Sequence, residues 1–354
     1  MRARRGADNE RARWSRRRRV VVGVVAFVLV VVATAGGFGL VTWRHIDRVS
    51  VTFPGSPSGG TTYLLIGSDS RAFVSSASDR ARFGSGPAER RERADVMLLV
   101  RTLSGGGLRV LGIPRDLLTQ LPDGSPTRMT LTLLQGPQAV VDTLCDSLGI
   151  GVDHLAVMHF DGLRRLVDRV GGVTVHVAAP ERDRVTGLSL RHAGANHLDG
   201  QQALAFVRSR QLEELRDGHW RPVAPSAYAR SEQARTVLVQ LGSRLHLSAA
   251  SPISSLRKLW TLSGAITVDN HSGVSDLRNL SHALGRLGTA HDEQIPVIFH
   301  PGAVPIADLQ PSAGAKLEAF QGPPQHGCSL RTLQTSGGAP ESTTNDTGSQ
   351  GGTP

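Results

Sequence analysis

Lysine is almost absent from this chain: of its 40 basic residues only Lys258 and Lys316 are lysine, and the rest are arginine. A bias of that extent reflects genome composition as readily as function, so no single arginine carries weight by its identity alone. Familiar catalytic motifs are absent as well. There is no Gly-x-Ser-x-Gly elbow, no Walker lysine loop and no His-Glu-x-x-His, which excludes the hydrolase, P-loop and zincin chemistries that those patterns serve. Cysteine is limited to Cys145 and Cys328, far apart in sequence. They form no metal motif and leave one disulfide in an oxidising compartment open. The histidines are scattered; His154 and His159 flank an alternating strand and read as structural or surface residues. A uniformly basic surface is lacking too. Net charge is +10, but residues 1–19 hold nine arginines against Asp8 and Glu10, which leaves only +3 for everything that follows. That distribution argues against a nucleic-acid-binding surface and against nucleic acid as a partner.

One long apolar run is present. Val20 to Leu40 carries no charge, and at ~1.5 Å per residue it spans a hydrocarbon core of about 30 Å. Arg16 to Arg19 precede it, so the positive-inside rule places the amino terminus in the cytoplasm and everything after Thr42 outside, with Trp43 as an interfacial anchor. Ala33-Thr34-Ala35 has the form of a signal-peptide cleavage site, but the apolar stretch exceeds the 7–15 residues usual for such peptides. The expected organisation is a basic cytoplasmic segment over 1–19, a transmembrane helix over 20–42, a Pro/Gly/Ser linker over 43–60, an extracytoplasmic domain over 61–326 and a disordered tail over 327–354.

Within that domain, Thr61 to Arg71 (TTYLLIGSDSR) reads as a buried strand opening into a polar site, with Asp69 at its carboxyl end, where open α/β sheets place ligands. Residues 72–93 read as a polar loop. Asp95 opens a second strand, Val96 to Leu103, and Leu108 to Ile113 form a third that stops at Pro114, Arg115 and Asp116. Helical spacing follows over 136–148, then a strand over Leu155 to Phe160, a helix capped by Asp161 and ended by Gly171-Gly172, and a strand over Val173 to Val177. Leu198 to Arg210 reads as an Asp-capped helix ending in Arg208 and Arg210. A polar loop over 211–225 leads to a longer helix from about Ser226, with Arg230 in its first turns and Val237, Leu238, Leu241 and Leu245 as its core stripe. Helices near 252–264 and 275–287 and a strand from Ile295 to Phe299 complete the compact part. Alternating strands and helices predict a mixed sheet covered on both faces.

Asp69 and Asp95 supply two hard oxygen ligands, which together with substrate phosphate oxygens is how Mg²⁺ is usually held. Arg93, Arg115, Arg208, Arg210 and Arg230, all near expected element ends, suit bidentate binding of a pyrophosphate.

Five fragments in order, YLLIGSDSR, ERADVMLLV, LGIPRD, VMHFDGLRRLVDRVGGVTVHV and LDGQQALAFVRSR, resemble the LytR-CpsA-Psr family. The resemblance covers about residues 61–245. It implies a three-layer α/β/α sandwich with a mixed central sheet, behind one transmembrane helix, on the outer face of the cell membrane. It further implies a phosphotransferase that moves a glycopolymer from a polyprenyl-pyrophosphate carrier onto peptidoglycan, with Mg²⁺ as cofactor and pyrophosphate cleavage as a side activity. By position, Asp69 and Asp95 match the metal-binding carboxylates. Arg93, Arg115, Arg208, Arg210 and Arg230 match the pyrophosphate-binding arginines, and catalysis falls to Arg93, Arg115 and Asp116. There are departures. Ala227 stands where the family has an aspartate, Gln233-Ala234 where it has Arg-Gln, and Arg128-Met129-Thr130 where it has Lys-Ile-Asn. These losses keep a non-catalytic, lipid-binding or scaffolding member of the same fold as the alternative. A membrane-bound transcriptional regulator is disfavoured, because about 19 cytoplasmic residues are too few for a folded DNA-binding module.

Overall fold

The computed structural model describes residues 41, 44–69, 92–245, 260, 263–321 and 328. The basic segment over 1–19, the expected transmembrane run apart from Val41, most of the loop over 72–93, most of the helix expected near 252–264 and all of the tail but Cys328 lie outside the described residues. Among the described residues no helix is long and apolar enough to cross a membrane.

The elements follow the apolar runs closely. Strands β1 (Asp47–Val49), β2 (Gly60–Ser68), β3 (Ala94–Leu103) and β4 (Leu108–Ile113) lead to a short pair, β5 (Leu118–Gln120) and β6 (Pro126–Arg128), and then to helix α1 (Pro137–Leu148). Next come β7 (His154–His159), α2 (Phe160–Arg169), β8 (Val173–Val177), β9 (Glu181–Asp183), β10 (Leu188–Leu190), β11 (Gly194–Leu198) and α3 (Gly200–Arg208). The last stretch holds β12 (Glu213–Arg216), β13 (His219–Pro222), α4 (Ala229–Leu245), β14 (Ile266–Asp269), α5 (Val274–Gly285), β15 (His291–Gln294), β16 (Val297–His300), β17 (Ile306–Leu309) and α6 (Ala313–Leu317).

Seven strands form one sheet in the order β1-β14-β7-β2-β3-β4-β15. It is mixed: β1, β7 and β15 run parallel to β14, β2 and β4 respectively, while β14 and β7, β2 and β3, and β3 and β4 are antiparallel pairs. The central strands are apolar on both faces because both are covered. Successive side chains alternate between two cores, as the two-residue strand period requires. Tyr63, Val96, Leu98 and Val100 pack against α2, α3, α4 and α5 on one face. Leu64, Ile66, Met97 and Leu99 pack against α1, the 3₁₀ turn Met129–Gln135 and α6 on the other. This is the expected α/β fold with a mixed central sheet and helices on both faces.

Three segments differ from the sequence reading. Residues 47–58, expected as linker, contribute edge strand β1, buried Val51 and an anchored approach to β2. The buried Arg101 guanidinium holds this segment by donating to the carbonyls of Pro57 (2.8 Å) and Ser58 (3.1 Å), while Asp153 accepts from the N–H groups of Ser56 and Thr62. Residues 211–225, expected as a loop, contain the β12–β13 hairpin, turned by Asp217 and Gly218 at positive φ. The strand expected from Ile295 begins at Val297, since Pro296 has no N–H to continue the ladder. It pairs with β17 rather than joining the main sheet. Asp161 does not cap α2; it lies in the first turn, where Arg164 and Arg165 grip its carboxylate. Cys145 of α1 and Cys328 form a disulfide, which resolves the pairing that sequence left open.

Candidate active site

The site forms where β2, β3 and β4 meet. In the β2–β3 ladder Gly67 lies opposite Val96 and Ser68 opposite Ala94. Asp95 is therefore the extra residue of a β-bulge, the irregularity by which a sheet edge re-aims one side chain. Gly67 suits this step, since a Cβ there would lie 3.1 Å from the Val96 Cβ. The next residue, Asp69, is fixed by a double contact with Arg93: its N–H donates to the Arg93 carbonyl (3.1 Å), and its Oδ1 accepts from the Arg93 N–H at 2.7 Å. Burial raises the Asp69 pKa, and the nearby Asp95 carboxylate adds to the rise against the lowering effect of the Arg93 N–H.

Asp95 is buried, and one of its oxygens faces three guanidiniums. The Arg115 Nη1 approaches Asp95 Oδ1 to 2.6 Å, the Arg230 Nη1 to 2.7 Å and the Arg210 Nη2 to 3.8 Å. The three come from separate elements: the turn after β4, the segment after α3 and the first turn of α4. Arg115 also reaches Asp116 through Nε at 3.3 Å, and Arg128 meets the same Asp116 oxygen at 3.3 Å. Arg210 is the open member, with 60% of its side chain exposed. Burial of its head and repulsion from Arg115 lower its pKa, as expected of guanidiniums gathered for an anion that would relieve them.

Most of the expected residues thus converge: Asp69, Asp95, Arg115, Asp116, Arg210 and Arg230. Arg93 contributes its backbone, and the residue is exposed. Among the described residues Arg208 makes no ion pair with Asp95; its guanidinium lies 5.0 Å from the centre of the Phe160 ring. Two residues were missed. Arg128 joins through Asp116. Asp183 of β9 is fully buried, and its Oδ2 accepts from the Ser209 hydroxyl (2.8 Å), the Arg210 N–H (2.8 Å) and the Gln211 N–H (3.0 Å). It fixes the turn that aims Arg210. Nothing in the sequence around ERDRV connects it with a position 27 residues later.

Directly behind the charged cluster lies an apolar cavity of about 130 Å³. Gly67, Val96, Val207 and Ala234, each within a few residues of Asp69, Asp95, Arg208 or Arg230, line it together with Phe160, Leu280 and Leu284. Ala234, which replaces a polar residue of the family pattern, is buried and extends the apolar wall.

The region that holds this sheet and its charged residues has relatives among known proteins. A model described as the LytR_cpsA_psr family matches residues 43–250. The chain belongs to the LytR_cpsA_psr family. Among its relatives, the "Probable cell wall biosynthesis protein LcpB" of Corynebacterium glutamicum is 33% identical over 196 residues, covering 54% of this chain and 45% of LcpB. The polyisoprenyl-teichoic acid–peptidoglycan teichoic acid transferase TagT of Bacillus subtilis is 24% identical over 217 residues, covering 55% of this chain and 63% of TagT. A solved LytR-Csp2A-Psr enzyme from Actinomyces oris superposes with a TM-score of 0.62 at 31% identity, covering 79% of this chain and 97% of that one. This LytR_cpsA_psr chain therefore spans about half the length of the curated relatives it matches, and every charged residue of the site falls within the matched region.

Among the described residues no cluster of three or more His, Cys, Asp or Glu side chains forms a ready-made metal cage. The donor chemistry nonetheless fits Mg²⁺. The Asp95 carboxylate is close enough to disfavour the charge on Asp69, and Mg²⁺ ordinarily takes one or two carboxylates with water and phosphate oxygens completing its shell.

Proposed function

We propose that the protein is a membrane-anchored phosphotransferase that moves a glycopolymer from a polyprenyl-pyrophosphate carrier to peptidoglycan on the outer face of the cell membrane. The observation that carries this reading is the joining of an arginine–aspartate head site to an apolar cavity, the two halves of a lipid pyrophosphate. Two relatives act on the cell wall by name, and TagT is named for a polyisoprenyl-linked teichoic acid donor and a peptidoglycan acceptor. The Cys145–Cys328 disulfide agrees with an oxidising, extracytoplasmic location.

In this reading Arg115, Arg210 and Arg230 exchange the Asp95 oxygen for pyrophosphate oxygens, and the prenyl chain enters the cavity behind Gly67 and Val96. A sugar hydroxyl of peptidoglycan attacks the phosphorus that carries the glycan. A new P–O bond forms, the P–O bond to the polyprenyl phosphate breaks, and the hydroxyl proton passes to Asp116. Charge growing on the departing polyprenyl phosphate is met by preorganised guanidiniums, the kind of positioning and electrostatic stabilisation on which phosphoryl transfer depends. Asp69 and Asp95 are the residues that would hold Mg²⁺, which when bound supplies charge neutralisation at the pyrophosphate.

Arg210→Glu is the direct test, because Arg210 is exposed and its replacement leaves the packed core untouched. The variant should lose at least about 100-fold in affinity for a polyprenyl-pyrophosphate analogue, consistent with removing one charge-assisted pair and adding a repulsive charge. Unchanged affinity would sink the assignment. Tight binding by the parent protein without Mg²⁺-dependent transfer would favour a lipid-binding scaffold over the enzyme.

A further inference from the structure

The sheet register shows which edge of the domain meets the chain arriving from the apolar run. Asp47 of β1 lies beside Thr267, which lies across from Val157; Val157 pairs with Ile66, Ile66 with Met97 and Met97 with Ile113. Moving off this line in one direction leads to Ile46 and His45, to Ala265 and Gly264, to Asp69, to Asp95 and to Arg115. The segment that joins Val20–Leu40 to the domain therefore enters at the same sheet edge that carries the reacting groups. Ile46 itself lines the apolar cavity.

Beside this entry lies a separate recess of about 280 Å³, formed by His45, Arg165, Arg169, Trp260, Ser263 and Gly264. Its chemistry is mixed in a particular way. Trp260 is 41% exposed and meets the His45 ring edge-on at 5.2 Å. Arg165 is fixed in place by Asp161 and by the Gly264 carbonyl, to which it donates at 2.7 Å. Arg169, one turn further along α2, is exposed and makes no ion pair or side-chain hydrogen bond among the described residues, and the same holds for Arg44. An amphipathic ring flanked by guanidiniums suits the interfacial zone of a bilayer, where tryptophan prefers to lie and where basic residues meet lipid phosphates.

We propose that this recess seats the headgroup phosphate of an anionic phospholipid of the outer leaflet, and thereby holds the sheet edge with Asp69 and Asp95 against the membrane. The inference rests on the reading that Val20–Leu40 spans the bilayer. It gives the catalytic edge a fixed height above the membrane and turns the Ile46 end of the cavity toward the lipid phase from which a prenyl-linked donor arrives.

The test uses the full chain in nanodiscs of phosphatidylcholine, with or without phosphatidylglycerol. Trp14, Trp43 and Trp220 are replaced by Phe so that Trp260 alone fluoresces, and a trace of lipid carrying a headgroup spin label serves as quencher. Quenching of Trp260 should rise about twofold or more when phosphatidylglycerol is present, reflecting electrostatic attraction of the recess to an anionic surface. Arg169→Glu should abolish that rise. Equal quenching in both lipid mixtures, no quenching in either, or a rise that survives Arg169→Glu would each overturn the proposal. Arg210→Glu separates the two hypotheses: it should remove donor-analogue binding in the same discs while leaving the phosphatidylglycerol-dependent quenching intact.

Discussion

At the scale of single residues, the site depends on carboxylates that do two different jobs. Asp95 neutralises the arginines, whereas Asp183 touches none of their side chains and acts through backbone. Burial pushes the Asp183 carboxyl up, but the N–H groups of Gln211 and Arg210, the Ser209 hydroxyl and the Thr186 N–H outweigh it and hold the group below the ordinary range. Asp183→Ala leaves these donors without their acceptor, each costing about 1–3 kcal/mol when buried and unpaired. The expected result is a donor KM raised about tenfold or more, with the fold still cooperative, because Arg210 loses its aim. Ser209→Ala, which keeps the carboxylate and removes one donor, should change KM by less than about threefold; equal effects of the two would assign Asp183 a purely structural role. Two residues earlier in β9, Glu181 behaves in the opposite way. Burial, with a smaller contribution from its cross-strand neighbour Glu214, raises its pKa from 4.5 to about 7. The folded protein therefore binds this proton more tightly than the unfolded chain, so the associated stability is present below the unfolded pKa and lost as pH rises through about 7. Glu181→Gln should flatten the stability profile between about pH 5 and about pH 8. At the upper end it should be more stable than the parent by about 1–2 kcal/mol, less than the full shift implies because the charge is partly screened in the folded protein. Urea denaturation at the two pH values measures both effects.

At the scale of elements, strands β3, β4 and β8 lie where their apolar runs place them, and α3 has the expected Asp199 cap, whose carboxylate accepts from the Gln202 N–H at 2.8 Å. Local pattern sufficed there because a two-residue alternation or a helical stripe leaves a mark within a few positions. The β12–β13 hairpin carried an equally local signal, Asp217-Gly218, the dipeptide preferred in two-residue hairpin turns. The charged residues around it read as a solvated loop, and pairing with β9 supplies the ladder partners that composition did not suggest. β1 was hidden for another reason. Its three residues pair only with β14, more than 200 positions away in sequence, and no local pattern encodes such a partner. The same limit explains the site. The carboxylates and most arginines were legible as strand-end charges, but the bulge that aims Asp95 is a property of two strands together, and Asp183 reaches Arg210 only through the fold. Close packing of α4 on α5 is likewise non-local. A Cβ on Gly242 would lie 2.2 Å from the Leu284 carbonyl oxygen, so Gly242→Ala must push the two helices apart. Helix propensity alone favours alanine by about 1 kcal/mol, yet overpacking should win, with a net loss of about 1–3 kcal/mol in thermal or chemical denaturation. A stabilised variant would show that the α4–α5 spacing yields readily.

For the whole molecule, the chain is closed on itself near its carboxyl end. Cys145 in α1 is joined to Cys328 across 183 residues of sequence, a span that takes in β7, all of α2 to α5 and the strands that complete the main sheet. Noncovalent contacts run alongside: the Gly151 N–H donates to the Phe320 carbonyl, and Phe320 is fully buried in the core beneath α1. The disulfide therefore restrains a loop that already closes in the native state. Its main effect falls on the unfolded chain, which loses the freedom to separate those ends. A loop of this length places the chain-entropy contribution at about 5 kcal/mol, a large share of the ~5–15 kcal/mol typical of a domain. Reduction should lower the stability of the parent protein by that amount while leaving its fold and the Asp95–arginine cluster intact, because neither cysteine approaches the site. A Cys145→Ser, Cys328→Ser double variant should match the reduced parent and respond to no reductant. Thiol titration of the native protein gives the decisive check: two reactive thiols before reduction would mean that the bridge is not formed, and the stability argument for an oxidising location would fall with it.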